Sequence, residues 1–132
     1  MKIRIDIAKN INADLHIQFT CSSGSCIGIL KNTQVRPQTG FECDAEIDVN
    51  VDLVRDKNAF QTTKNMFSVS FDDLFVYMIG FIESIDDDGM AYFRLANDCL
   101  IMVTTIESDK IKQNEWLELR LGHKEVEVSL FS

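Results

Sequence analysis

The chain has 132 residues, 45% of them hydrophobic, with 21 acids against 13 bases and a net charge of −8. That length fits one domain whose core needs neither disulfide nor metal to close, and that charge disfavours nucleic acid and anionic membrane while favouring a basic partner. No stretch nears the ~18 consecutive apolar residues of a membrane span, and the start, MKIRIDIAKN, alternates instead of forming a secretory apolar run, so a cytoplasmic protein is expected.

Period-two alternation dominates from the first residues. KIRIDI puts Ile3, Ile5 and Ile7 on one face and Lys2, Arg4 and Asp6 on the other. INADLHIQF, residues 11–19, reads as a second strand with Ile11, Ala13, Leu15, Ile17 and Phe19 inward. SSGS is a turn signal, CIGIL a short apolar run, and RPQTG a loop around the only proline, Pro37. FECDAEIDVNVD, residues 41–52, then alternates from end to end, with Phe41, Cys43, Ala45, Ile47, Val49 and Val51 inward and Glu42, Asp44, Glu46, Asp48, Asn50 and Asp52 outward, the first four of these a column of acids. Opposite charges paired across strands contribute ~0.2–1 kcal/mol. The first strand is therefore predicted to lie beside this one, with Lys2 or Arg4 facing the column. The same four acids are a second choice for a partner surface.

RDKNAFQTTKN is a polar connection, and a second set of strands begins at Met66. MFSVSF alternates and Asp72 and Asp73 turn the chain. LFVYMIGFIESI reads as a long central strand with a bulge or bend at Gly80. DDDG is a hairpin turn with Gly89 at the position that favours positive φ. MAYFRL, turn AND, CLIMVTT, loop ESDKIKQNE with at most one helical turn, WLELRL, turn GHKE and VEVSLF complete the series. The fold class is all-β, an antiparallel barrel or sandwich with little or no helix, as one domain over 1–132 with sub-lobes about 1–65 and 66–132.

Charge divides unevenly between those sub-lobes. Eight bases balance eight acids in 1–65, whereas five bases face thirteen acids in 66–132, which therefore holds the whole excess. Asp72, Asp73, Glu83, Asp86, Asp87, Asp88 and Asp98 form the candidate partner-binding set. Turn chemistry accounts for one aspartate per turn and leaves the others in surplus.

Catalytic and metal chemistry is not legible. His16 and His123 are isolated and make no triad. Counting from Asp86, the twelfth residue is Asn97 and not the glutamate of a calcium loop. No glycine-rich phosphate loop is present. Cys43 and Cys99 read as buried thiols. Cys21 and Cys26 flank SSGS and either face each other across a hairpin or stay reduced, and zinc would need two further ligands. The expectation is a non-enzyme without cofactor or metal.

From Leu74 onward the strand rhythm resembles an OB-fold: a long bent first strand, two hairpin-joined strands, an irregular connection and a final hairpin. Single-strand binding by such a surface needs a cationic groove and stacking aromatics, and its second strand offers only Tyr92 and Arg94. GFIESIDDDGMAYFRLANDCLIMV, residues 80–103, resembles small acidic bacterial β proteins of toxin–immunity loci. That resemblance implies an immunity protein, a cytosolic inhibitor that binds a cognate toxin domain, often a basic nuclease, and blocks its active site. The alternatives are an OB-like protein-interaction module of a larger assembly and a nucleic-acid-binding OB module.

Overall fold

The structure is a computed structural model and describes residues 1–131. Its strands are β1 (Lys2–Ile11), β2 (Asp14–Cys21), β3 (Gly24–Thr33), β4 (Glu42–Val49), β5 (Ala59–Gln61), β6 (Ser68–Phe71), β7 (Phe75–Ile85), β8 (Met90–Ala96), β9 (Cys99–Thr104), β10 (Trp116–Gly122) and β11 (Val126–Phe131). The helical content of the described residues is two single turns, Ser108–Lys110 and His123–Glu125. The all-β class read from the alternation is the class observed.

The first lobe is a closed ring in the order β1-β2-β3-β11-β4, with β4 returning to β1. All its pairings are antiparallel except β3–β11. The predicted neighbour of the acid column is in place: Lys2 lies opposite Asp44 and Arg4 opposite Glu42. The second lobe is built on β7, which carries β6 and β10 along its first half and β8 along its second. β9 pairs with β8, and β5 with β10. Among the described residues this lobe closes through residues 53–61: Leu53 bridges Thr105 in parallel fashion, and Ala59 leads into β5.

The meander β7-β8-β9 follows the order expected of the second half, and β10 lies back beside β7. The final hairpin does not form. β10 and β11 are joined by the turn at His123, but β11 pairs with β4 and β3. Every inward residue of VEVSLF is satisfied in the first ring: Val126, Val128 and Leu130 are fully buried there. The chain therefore crosses between lobes twice, after β4 and before β11. One core cluster runs through both, including Ile5, Phe19, Met78, Phe93, Leu117 and Leu130.

Three local readings change. INADLHIQF is not one strand: β1 runs on to Ile11, and Asn12 and Ala13 form a hairpin turn with φ of 51° and 72°. Asparagine tolerates that left-handed conformation and alanine does not, so Ala13 masks the turn. Ile7 is 47% exposed because the register shifts between Ile5 and Ile7. The extra residue, Asp6, is held by Arg4 Nε at 3.1 Å and the Thr20 hydroxyl at 2.6 Å. Gly80 is not the bulge in β7; the register shifts between Ile82 and Ser84, at Glu83. Gly80 is instead required by a close approach: a Cβ there would sit 2.3 Å from the Arg94 carbonyl oxygen. Gly89 does take the expected positive φ, 83°.

Candidate docking face

Strand alternation decides what the second lobe shows to solvent. In β9 the odd residues Cys99, Ile101 and Val103 are buried and the even ones face out, leaving Leu100 41% and Met102 60% exposed. The register puts Trp116, Phe81, Arg94 and Leu100 in one row across β10, β7, β8 and β9. The next row holds Ser84, Tyr92 and Met102. Trp116 packs on Phe81 at 5.4 Å and on Phe67 at 5.5 Å between centroids, so the aromatics form a fixed platform. No pattern within a single strand announces this platform. Phe81 and Trp116 share a face only once β7 and β10 are in register.

Carboxylates surround this face. Glu83, displaced outward by the bulge, takes Arg94 in a two-point pair, Nε–Oε1 2.7 Å and Nη2–Oε2 3.2 Å. That pairing holds the Glu83 carboxyl below its ordinary range. At one end of the face lies the β7–β8 turn. Asp86 accepts the N–H of Asp88 and of Met90, each at 3.0 Å, and so does the work of the turn. Asp87 and Asp88 are exposed and have no ion-pair partner among the described residues. At the other end is Asp98, 3.4 Å from the Lys2 amide. Beside Leu100 a groove of about 400 Å³ opens between β9 and β4, lined in part by Asp98, Leu100, Asp44, Glu46 and Phe131.

The predicted acids thus separate. Glu83, Asp86, Asp87, Asp88 and Asp98 border one face, and Asp44 and Glu46 form the far wall of its groove. Asp72 and Asp73 lie at the opposite end of β7, about 30 Å of strand away. Asp72 caps that turn, accepting from the Phe75 and Leu74 amides at 2.8 and 2.9 Å and from the Tyr77 hydroxyl at 2.7 Å. The Phe75 amide, the Tyr77 hydroxyl and the Leu74 amide together hold its carboxyl below the usual range. In the acid column, Asp44 pairs with Lys2 at 3.0 Å and Asp48 with Lys31 at 4.0 Å, whereas Glu42 and Glu46 have no ion-pair partner among the described residues.

The cysteines are free. Cys21 lies opposite Gly24, and Cys26 opposite Phe19, so the two thiols do not face each other across the hairpin. Burial pushes the Cys99 thiol up to about 11 and raises that of Cys26 further, which leaves both protonated and unreactive near neutrality. Among the described residues no helix is long and apolar enough to cross a membrane. No family model matches the chain, and neither does any curated protein or solved structure.

Proposed function

We propose that the protein is a binding protein for a basic partner, an immunity-type inhibitor that covers the working surface of a toxin domain such as a nuclease. The observation that carries this reading is the exposed ridge of Leu100 and Met102 with carboxylates at both ends and across the groove. Interfaces place apolar and aromatic anchors at the centre and charge at the rim. A phosphate-binding surface on the partner would be drawn to such a rim, and its capture would be fast at low salt. The test is to mix the protein with a basic toxin nuclease domain encoded beside its gene. The expected result is a stoichiometric complex, arrested nuclease activity and affinity that falls with salt. A nuclease that keeps full activity beside excess inhibitor overturns the reading.

The aromatic platform favours a second reading, stacking of single-stranded nucleic acid. Against it, the arginines of this sheet are already engaged, Arg94 by Glu83 and Arg120 by Glu118 at 2.7 and 3.8 Å. Anisotropy with labelled oligonucleotides separates the two: sub-micromolar binding at physiological salt would favour nucleic acid.

A further inference from the structure

We propose that the open edge of β9 accepts an extended, basic segment of the partner as an added β-strand, laid in the groove beside β4. The inference rests on the docking reading above and names how the partner is held. β9 pairs with β8 on one side only. On the other side its backbone pairing among the described residues is the Leu53 bridge, where the Leu53 amide donates to the Thr104 carbonyl at 2.8 Å and the Ile106 amide donates to the Leu53 carbonyl at 2.9 Å, and β4 packs nearby without pairing. Backbone groups of a strand alternate sides with period two. Because the Thr104 carbonyl points away from β8, the N–H and C=O groups of Met102 and Leu100 point away from it too. Among the described residues neither has a backbone partner on that side. An unpaired edge of this kind is a template for strand addition.

The surroundings choose the occupant. Asp98, Asp44 and Glu46 line the groove at this edge, and Leu100 and Met102 stand exposed beside it. A segment alternating cationic and apolar side chains meets both. A second copy of this chain does not: it carries a charge of −8 and would bring its own acids against these.

The probe is a short synthetic peptide alternating lysine and valine, followed by amide hydrogen exchange of the full chain. The expected result is that exchange at Leu100 and Met102 slows by about tenfold or more on adding peptide. Exchange at Ile101 and Val103, which face β8, should change little. A peptide N-methylated on alternate residues should lose this effect, as should one with glutamate for lysine. Met102→Pro removes one edge donor while sparing the ladder to β8, because that N–H faces outward. It should weaken peptide binding by about tenfold or more. Equal binding of the N-methylated peptide overturns the proposal. So does absence of binding at millimolar peptide, or protection of the same amides by self-association without peptide, seen by sedimentation. If Met102→Pro inhibits the toxin domain as the parent does while acid substitutions weaken inhibition, strand addition fails and the docking reading stands.

Discussion

The two lobes answer the same problem differently. In the first, a five-strand ring closes on itself, and each of its strands has a neighbour on both sides. Lys2 faces Asp44 there, Arg4 faces Asp6 and Lys31 faces Asp48, while Glu42 and Glu46 have no ion-pair partner among the described residues. In the second, closure passes through the bridge at Leu53, β9 keeps an open edge, and Asp87 and Asp88 have no ion-pair partner among the described residues. Closed rings remove the unpaired edges at which a strand can be added. The lobe whose ring is less completely closed is the one that presents an apolar ridge and surplus charge.

The largest expected effect breaks the closed lobe. Leu130 is fully buried on β11, the strand that closes the first ring. Leu130→Ala removes apolar packing there and leaves a cavity, so a loss of ~2–5 kcal/mol is expected. A urea midpoint close to that of the parent would show that β11 is not needed to hold the ring.

His16 gives the first lobe a dependence on pH. It is 6% exposed on β2, and neither ring nitrogen has a hydrogen-bond partner among the described residues. Burial lowers its pKa from the ordinary 6.5; Asp14 opposes this, and His123 and Lys124 add to it. The folded protein therefore holds the ring neutral where the unfolded chain would protonate it. Stability from this group is complete above 6.5 and is lost as pH falls through 6.5 toward the depressed folded value. His16→Leu should flatten the fall in urea midpoint between about pH 7 and 5. An unchanged slope would assign that fall to carboxylates instead.

Turn chemistry offers a smaller effect of opposite sign. Ala13 sits at φ 72° in the β1–β2 turn. An L-residue there costs roughly 1–2 kcal/mol, and glycine avoids this at an entropic cost of about 0.5–1 kcal/mol. Ala13→Gly should raise stability by ~0.5–1 kcal/mol, read as a higher melting temperature. A lower one would mean that the Ala13 methyl packs usefully.

These residues also show where the sequence was legible. The strands β4 and β8 could be read because each buries one face continuously, and a period of two records that directly, whereas β7 could be read because it is apolar on both faces over its length. The Lys2–Asp44 pairing was legible because a column of like charges calls for a cationic neighbour. The β1–β2 turn was hidden by an alanine where glycine would announce it. The exposure of Ile7 was hidden because a bulge at Asp6 reverses the alternation without altering composition. The destination of β11 was hidden because a buried strand carries the same pattern whichever sheet receives it. At the site, the acids were visible one by one. Their grouping around Leu100 and Met102 depends on cross-strand register, which no local pattern contains.

The smallest effect on stability sharpens the comparison most. Asp86, Asp87 and Asp88 are adjacent, yet among the described residues only the Asp86 carboxylate accepts hydrogen bonds of the turn. Asp87→Asn with Asp88→Asn, leaving Asp86 and Gly89 untouched, should therefore change folding stability by no more than ~0.5 kcal/mol. Reduced repulsion among three neighbouring carboxylates should offset any loss. Binding should respond differently, because rim charges act mainly on the rate of encounter. Association with a basic partner should slow and its salt dependence should flatten, while dissociation changes little. The matched control is Asp48→Asn with Glu127→Gln in the first lobe, an equal change of charge outside the groove, where both carboxylates lie 4.0 Å from Lys31. Ion pairs near the surface are worth about 0–1 kcal/mol to the fold, and their removal frees a cation that opposes a basic partner. Equal effects of the two variants on association would show that the partner senses total charge alone. A larger effect at Asp87 and Asp88 would place the encounter at the open end of the second lobe.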